Sequence, residues 1–208
     1  MMFSPLPRFY PITDTGLSGL SHVRQVELMV AGGATLIQLR DKTAAARDLY
    51  DSAQAAIKFA HAHGVKVVIN DRLDIAIAAG ADGVHLGQCD IPPEAARSLL
   101  GQDKIVGFST HNIEQAVRVD PAQVDYVGVG PIFGTSTKSD PDPVVGLDSL
   151  FRISQRVVVP IVAIGGITLE TARSTIAAGA NSIAVISDIF SAGDITGRVR
   201  AFVDQVGR

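Results

Sequence analysis

The chain has 208 residues, 47% of them apolar and 19% charged, with a net charge of -3. That profile suits a well-buried globular protein and lacks the basic footprint of a nucleic-acid binder. One cysteine excludes an internal disulfide, no apolar run reaches the ~18 residues of a membrane span, and residues 1–8 carry no apolar signal-peptide stretch, so a soluble cytoplasmic protein without membrane or nucleic-acid partners is expected.

Short apolar runs alternate with helix-period segments from end to end. The expected strands are 9–14, 34–40, 66–70, 83–87, 104–110, 125–131, 160–165 and 182–187. Amphipathic spacing lies between them, as at Val23, Val26 and Val30, then Ala53, Ala56, Ile57 and Ala60, with a last helix near 196–206. Several strands hold little but apolar and small residues, as buried parallel strands do. Strands alternating with helices imply right-handed βαβ units. "AGGAT", "AAGADGV" and "AAGANSI" share one logic: a helix ends, Gly takes a left-handed turn, and the next strand begins at once. Eight such units predict an α/β fold, a (β/α)8 TIM barrel occupying 1–208 as a single domain, with 1–8 as an N-terminal extension. A doubly wound open sheet is the alternative. It offers no central mouth for the polar residues of the second strand.

Those residues are in "IQLRDK" at 37–42, where Gln38, Arg40 and Lys42 fall at alternate positions and so share one face. A buried strand spends a face on an amide and two cations only if they find partners. In a barrel, function collects at the C-terminal ends of the strands. Those ends supply Asn70-Asp71, Gln88-Cys89-Asp90, Ser109-Thr110-His111, a long loop "GPIFGTSTKSDPDPVVG", "IGGI" at 164–167 and "VIS" at 185–187. Gly165-Gly166 and Ile186-Ser187 stand where barrels hold a phosphate monoester, with glycine sparing the backbone a Cβ. Arg40, Lys42 and Lys138 form a second, stronger anion site. Asp71 and Asp90 would repel an anion there unless Mg²⁺ lay between them; the competing reading makes both helix N-caps. The 131–146 loop exceeds the usual ~4–6 residues and is either disordered surface or a lid, with Thr135, Ser136, Thr137 and Lys138 facing an anionic ligand. His85 is expected as a packed, hydrogen-bonded interior residue, and His111 as a capping or orienting group rather than a base. His61 and His63 close a helix, and Cys89 is incidental. No Ser-His-Asp or zinc spacing occurs.

In order along the chain, "IQLRDK", "VINDR", "VHLGQCD", "GFSTHN", "VGVGPIFGTSTK", "VAIGGI" and "AVIS" resemble the thiamine phosphate synthases, a family of thiamine biosynthesis. The resemblance runs from about Phe9 to the C-terminus. It implies a transferase that joins an aminopyrimidine methyl diphosphate to a carboxylated thiazole phosphate, with Mg²⁺, giving thiamine phosphate, pyrophosphate and CO₂. By that resemblance Gln38, Arg40, Lys42, Asn70, Ser109 and Lys138 bind the pyrimidine diphosphate, and Asp71 and Asp90 bind Mg²⁺. Thr135, Ser136 and Thr137 contact the thiazole, whose phosphate meets Gly166, Ile186 and Ser187. Cys89 departs from the polar or acidic residue usual at its place, and "SDPDPVVG" matches loosely. A thiazole tautomerase on the same barrel, with His111 moving protons, and a non-catalytic thiamine-precursor binder are the rival readings.

Overall fold

Eight parallel strands form where the sequence places them, most of them trimmed at one or both ends. The computed structural model describes residues 6–135 and 142–207. The elements run β1 (Phe9–Pro11), α1 (Thr15–Ser18), α2 (His22–Ala31), β2 (Leu36–Leu39), α3 (Ala46–Ala62), β3 (Lys66–Asn70), α4 (Leu73–Ala78), β4 (Gly83–Leu86), α5 (Pro93–Leu100), β5 (Ile105–Thr110), α6 (Ile113–Val117), β6 (Tyr126–Val129), α7 (Gly146–Ser154), β7 (Ile161–Ile164), α8 (Leu169–Ala177), β8 (Ser182–Val185), α9 (Ser187–Ser191) and α10 (Ile195–Val206). The hydrogen-bonded order is β1-β8-β7-β6-β5-β4-β3-β2. One parallel bridge, Ile12 to Gln38, closes the ring between β1 and β2, with Thr13 N–H donating to the Gln38 carbonyl at 2.9 Å. This is the expected (β/α)8 barrel rather than an open sheet.

The helices follow the predicted periodicity. In α3, Leu49, Ala53, Ala56, Ile57 and Ala60 are buried, and they pack with outward residues of the strands such as Ile37, Val67 and Ile69 into the main core. Gly33, Gly80 and Gly179 take left-handed φ of 100, 71 and 104° between a helix end and the next strand, as the repeated Gly motif requires.

The inner faces form a second, smaller cluster. Tyr10, Leu36, Val68, Ile105, Tyr126, Val162 and Ala184 meet inside the ring. Register then places a polar level toward the C-terminal ends, where Asn70 lies beside His85, His85 beside Gly107, and Ser109 beside Gly128. The inner face therefore changes from apolar to polar within a few residues.

The opposite end is tied in pairs. Asp82, Asp125 and Asn181 stand just before β4, β6 and β8. Their side-chain oxygens accept from Val67, Val106 and Ile161 N–H at 2.7, 2.8 and 2.8 Å, respectively. Their own N–H groups donate back to the same residues' carbonyls. Asp125 is further held by Arg97, 6% exposed, at 2.7 Å. Arg97 also donates to the carbonyls of Gly101, Gln123 and Lys104.

Removing one partner of a buried ion pair strands the other charge. Asp125→Ala is expected to cost about 3 kcal/mol, and Asn181→Ala, which breaks an uncharged copy of the same link, about 1 kcal/mol. Urea unfolding midpoints at unchanged slope measure both. Equal losses would refute the assignment of the larger effect to Arg97.

Candidate active site

The strand ends open onto a cavity of about 540 Å³, within the range of small-molecule sites. Gln38, Arg40, Lys42, Asn70, Asp71, Asp90, Ser109, Thr135, Gly166, Ile186 and Ser187 all line it. Every site residue expected from sequence that lies among the described residues is thus brought to one mouth. Ser136, Thr137 and Lys138 lie outside the described residues, so the lid reading is not addressed by them.

The expected alternation of Gln38, Arg40 and Lys42 along one strand face needs correction. β2 ends at Leu39, and only Gln38, 3% exposed, lies on it. Arg40 and Lys42 sit on the turn that follows, which Asp41 organises. Its carboxylate accepts from the N–H groups of Thr43 and Ala44 and from the hydroxyls of Thr43 and Thr15, at 2.9 to 3.1 Å. Burial works against the charge, but these donors hold the Asp41 carboxyl down to about 2.

Each cation already has a carboxylate. Arg40 Nη1 donates to Asp14 Oδ2 at 2.6 Å, and Lys42 pairs with Asp71. Neither Asp71 nor Asp90 is a helix cap. The N-cap residues of α4 and α5 are Arg72 and Pro92, without side-chain capping bonds. The capping alternative is therefore overturned. Asp71 is the one non-glycine residue with positive φ, 60°, among the described residues. Such geometry is uncommon outside glycine and is often found where function fixes the backbone. Asp90 accepts from Gly87 N–H at 2.6 Å, yet burial, and then the neighbouring Asp71, push its carboxyl up, with Lys42 pulling the other way. Two crowded carboxylates beside a cation and open to a cavity are a fitting seat for a divalent ion. Among the described residues no group of three or more His, Cys, Asp or Glu is arranged to hold a metal.

The two histidines behave as expected. His85 Nδ1 lies 3.0 Å from the Tyr126 hydroxyl and Nε2 lies 2.8 Å from Ser109 Oγ. Burial pushes its imidazole down to about 4, against a smaller opposing pull from Asp71, so the ring is neutral at physiological pH. His111 Nδ1 donates to the Gly130 carbonyl at 2.8 Å, and its backbone N–H donates to Gln115 Oε1 at 2.7 Å, which is an orienting role. Gly165 and Gly166 have a packing reason besides the one expected. A Cβ on Gly166 would stand 2.4 Å from the Gly134 carbonyl oxygen, and one on Gly165 would stand 2.6 Å from Pro131 Cα. The loop after β6 fills that space, and both residues have positive φ.

A model of the thiamine monophosphate synthase family (TMP-TENI) matches residues 9–189. The chain belongs to the thiamine monophosphate synthase family. It is 46% identical over 191 residues to the thiamine-phosphate synthase of Clostridium novyi, covering 91% of this chain and 94% of that one. It is 45% identical to the thiamine-phosphate synthase of Chloroflexus aurantiacus over 93% of this chain and 89% of that one. Thiamine phosphate pyrophosphorylase from Pyrococcus furiosus superposes with a TM-score of 0.87 at 34% identity, covering 96% of this chain and 95% of that one. No helix among the described residues of this family member is long and apolar enough to cross a membrane.

Sequence reasoning missed Asp14, Tyr10 and Tyr126 and left His85 outside the site. The signal was available: His85 shares strand parity with Gly83, and Tyr126 with Gly128 and Gly130, which places both inside the ring.

A carboxyl that remains ionised to about 2 when folded, against 3.8 ordinarily, stabilises the fold above pH 4 and loses that contribution as pH falls from 4 to 2. Asp41→Asn is expected to cost on the order of 1–2 kcal/mol at neutral pH and to approach the unsubstituted protein in stability at the acid end. Thermal melts across the acid range compare the two; a constant gap would refute the linkage.

Proposed function

We propose that the protein is a Mg²⁺-dependent thiamine phosphate synthase of the cytoplasm, acting as one barrel domain on two small substrates. It moves the 4-amino-2-methylpyrimidine-5-methyl group from its diphosphate to the ring nitrogen of (carboxy)thiazole phosphate, releasing pyrophosphate and CO₂. The observation that carries this reading is the Asp71–Asp90 pair facing the same cavity as Arg40 and Lys42. Family membership and the likeness to the Clostridium and Chloroflexus synthases support it.

In this reading Arg40, Lys42 and Lys138 take the diphosphate, Gln38, Asn70 and Ser109 hold the pyrimidine, and Asp71 with Asp90 would hold Mg²⁺. Thr135, Ser136 and Thr137 meet the thiazole, and Gly166, Ile186 and Ser187 its phosphate. Mg²⁺, when bound, would neutralise diphosphate oxygens, as such ions do with one or two carboxylates and substrate phosphates. The aminopyrimidine pushes electrons toward its methylene, so the C–O bond to the diphosphate breaks to leave a stabilised cation that the thiazole nitrogen captures. The chain's residues neutralise the leaving group and align the partners, and no protein nucleophile is needed. Arg40 and Lys42 exchange Asp14 and Asp71 for substrate oxygens, so their charge is in place before the reaction. In this reading His111, with its Nδ1 donating to the Gly130 carbonyl, orients the loop and is assigned no proton transfer.

Arg40→Ala and Asp90→Asn are each expected to lower turnover by about 10²–10³, the scale of a lost electrostatic stabiliser. Chelation should stop the reaction and added Mg²⁺ restore it. A coupled pyrophosphate-release assay with thiamine phosphate quantified reads all three, and near-normal turnover under chelation would sink the metal assignment.

A further inference from the structure

Five inward side chains form an unbroken hydrogen-bonded row across the cavity floor, and the proposed reaction uses only its two ends. Gln38 Nε2 donates to the Tyr10 hydroxyl at 3.2 Å, which lies 3.2 Å from the Tyr126 hydroxyl. Tyr126 is 3.0 Å from His85 Nδ1, and His85 Nε2 is 2.8 Å from Ser109 Oγ. Both phenols are wholly buried. A Cβ at residue 107 would stand 2.4 Å from the Tyr126 hydroxyl and 2.6 Å from His85 Nδ1, so Gly107 gives this junction its room.

Each hydroxyl has one proton to give and a neutral imidazole has one N–H, so all the bonds must run in the same sense. The chemistry of the groups selects which. A phenol is a better donor and poorer acceptor than an aliphatic hydroxyl, because its oxygen lone pair is drawn into the ring. Phenol to Nδ1 and Nε2–H to serine is therefore the stronger pairing at both links. The Gln38 amide, donating to Tyr10, agrees with that sense.

We infer that His85, Tyr126 and Tyr10 are positioning residues that fix the Ser109 hydroxyl as a hydrogen-bond donor toward the substrate. With one of its two lone pairs engaged by Nε2–H and its proton unspent within the row, Ser109 presents that proton to an acceptor on the pyrimidine diphosphate: an unprotonated ring nitrogen or a phosphate oxygen. A group that can only donate would leave that proton without an acceptor and is disfavoured for that reason. The identity of the ligand rests on the functional reading above; the polarity of the row does not.

Two measurements test this. Nitrogen-15 spectra of histidine-labelled protein without substrate should show His85 protonated at Nε2 and bare at Nδ1, and Tyr126→Phe should erase that preference. Tyr126→Phe should also raise KM for the pyrimidine diphosphate about tenfold, the scale of one hydrogen bond, and leave KM for the thiazole phosphate unchanged. A merely structural role would not move the tautomer or separate the two KM values. Tyr10→Phe, which keeps the Tyr126–His85 contact, should shift the same KM in the same direction by less, and it carries the kinetic test if Tyr126→Phe does not fold. Protonation of His85 at Nδ1 in the unsubstituted protein, or an unchanged pyrimidine-diphosphate KM in the folded variants, would overturn the proposal. A protein that makes no thiamine phosphate would instead refute the functional reading, with the His85 tautomer still reporting on the row.

Discussion

Alternation of side chains along eight parallel strands is the constraint on which everything else rests. In a closed ring every inward residue faces its counterparts, so the interior must be filled and its polar atoms satisfied from within. The lower level does this with Leu36, Val68, Ile105 and Val162. The upper level places His85 and Tyr126 against glycines at 107 and 128. A polar layer is stable there because its members bond to one another, from Gln38 through to Ser109.

Above that layer the difficulty is charge rather than volume. Arg40 and Lys42 line the cavity, and each is held by a carboxylate. Holding the cations in this way limits their freedom before any anion arrives, which is how a site avoids reorganising during a reaction. Asp71 carries a second load, since its carboxylate also crowds Asp90. Drawing Lys42 toward a phosphate would release Asp71 for a divalent ion, so the anion and the ion would favour one another.

Most of the architecture was legible in sequence because it follows from short-range rules. Apolar runs marked the strands, and the helix-ending glycines marked the restarts at 33, 80 and 179. Which residues would line the mouth was legible because strand ends converge in a barrel. Three things were not. The end of β2 depends on Asp41 and on hydrogen bonds to residues beyond the strand, which alternation does not report. A packing demand for glycine at 165 and 166 comes from a loop of another unit lying against them. The partnership of Tyr10 with Tyr126 joins strands 116 residues apart, and only the register of the closed ring brings them together.

The side-chain links before β4, β6 and β8 gather the ring into two-strand units, and Thr35 occupies the equivalent place before β2 but is exposed. The join between the first and second strands is instead secured at the opposite end, by the Ile12–Gln38 bridge, by Arg40 N–H on Thr13 and by Arg40 on Asp14. The arginine proposed to meet the leaving group thus also helps to clasp the hoop. Of those three links only the Asp14 pair uses the arginine side chain, so a substrate that drew the guanidinium away would loosen that one link and leave the backbone-borne ones in place.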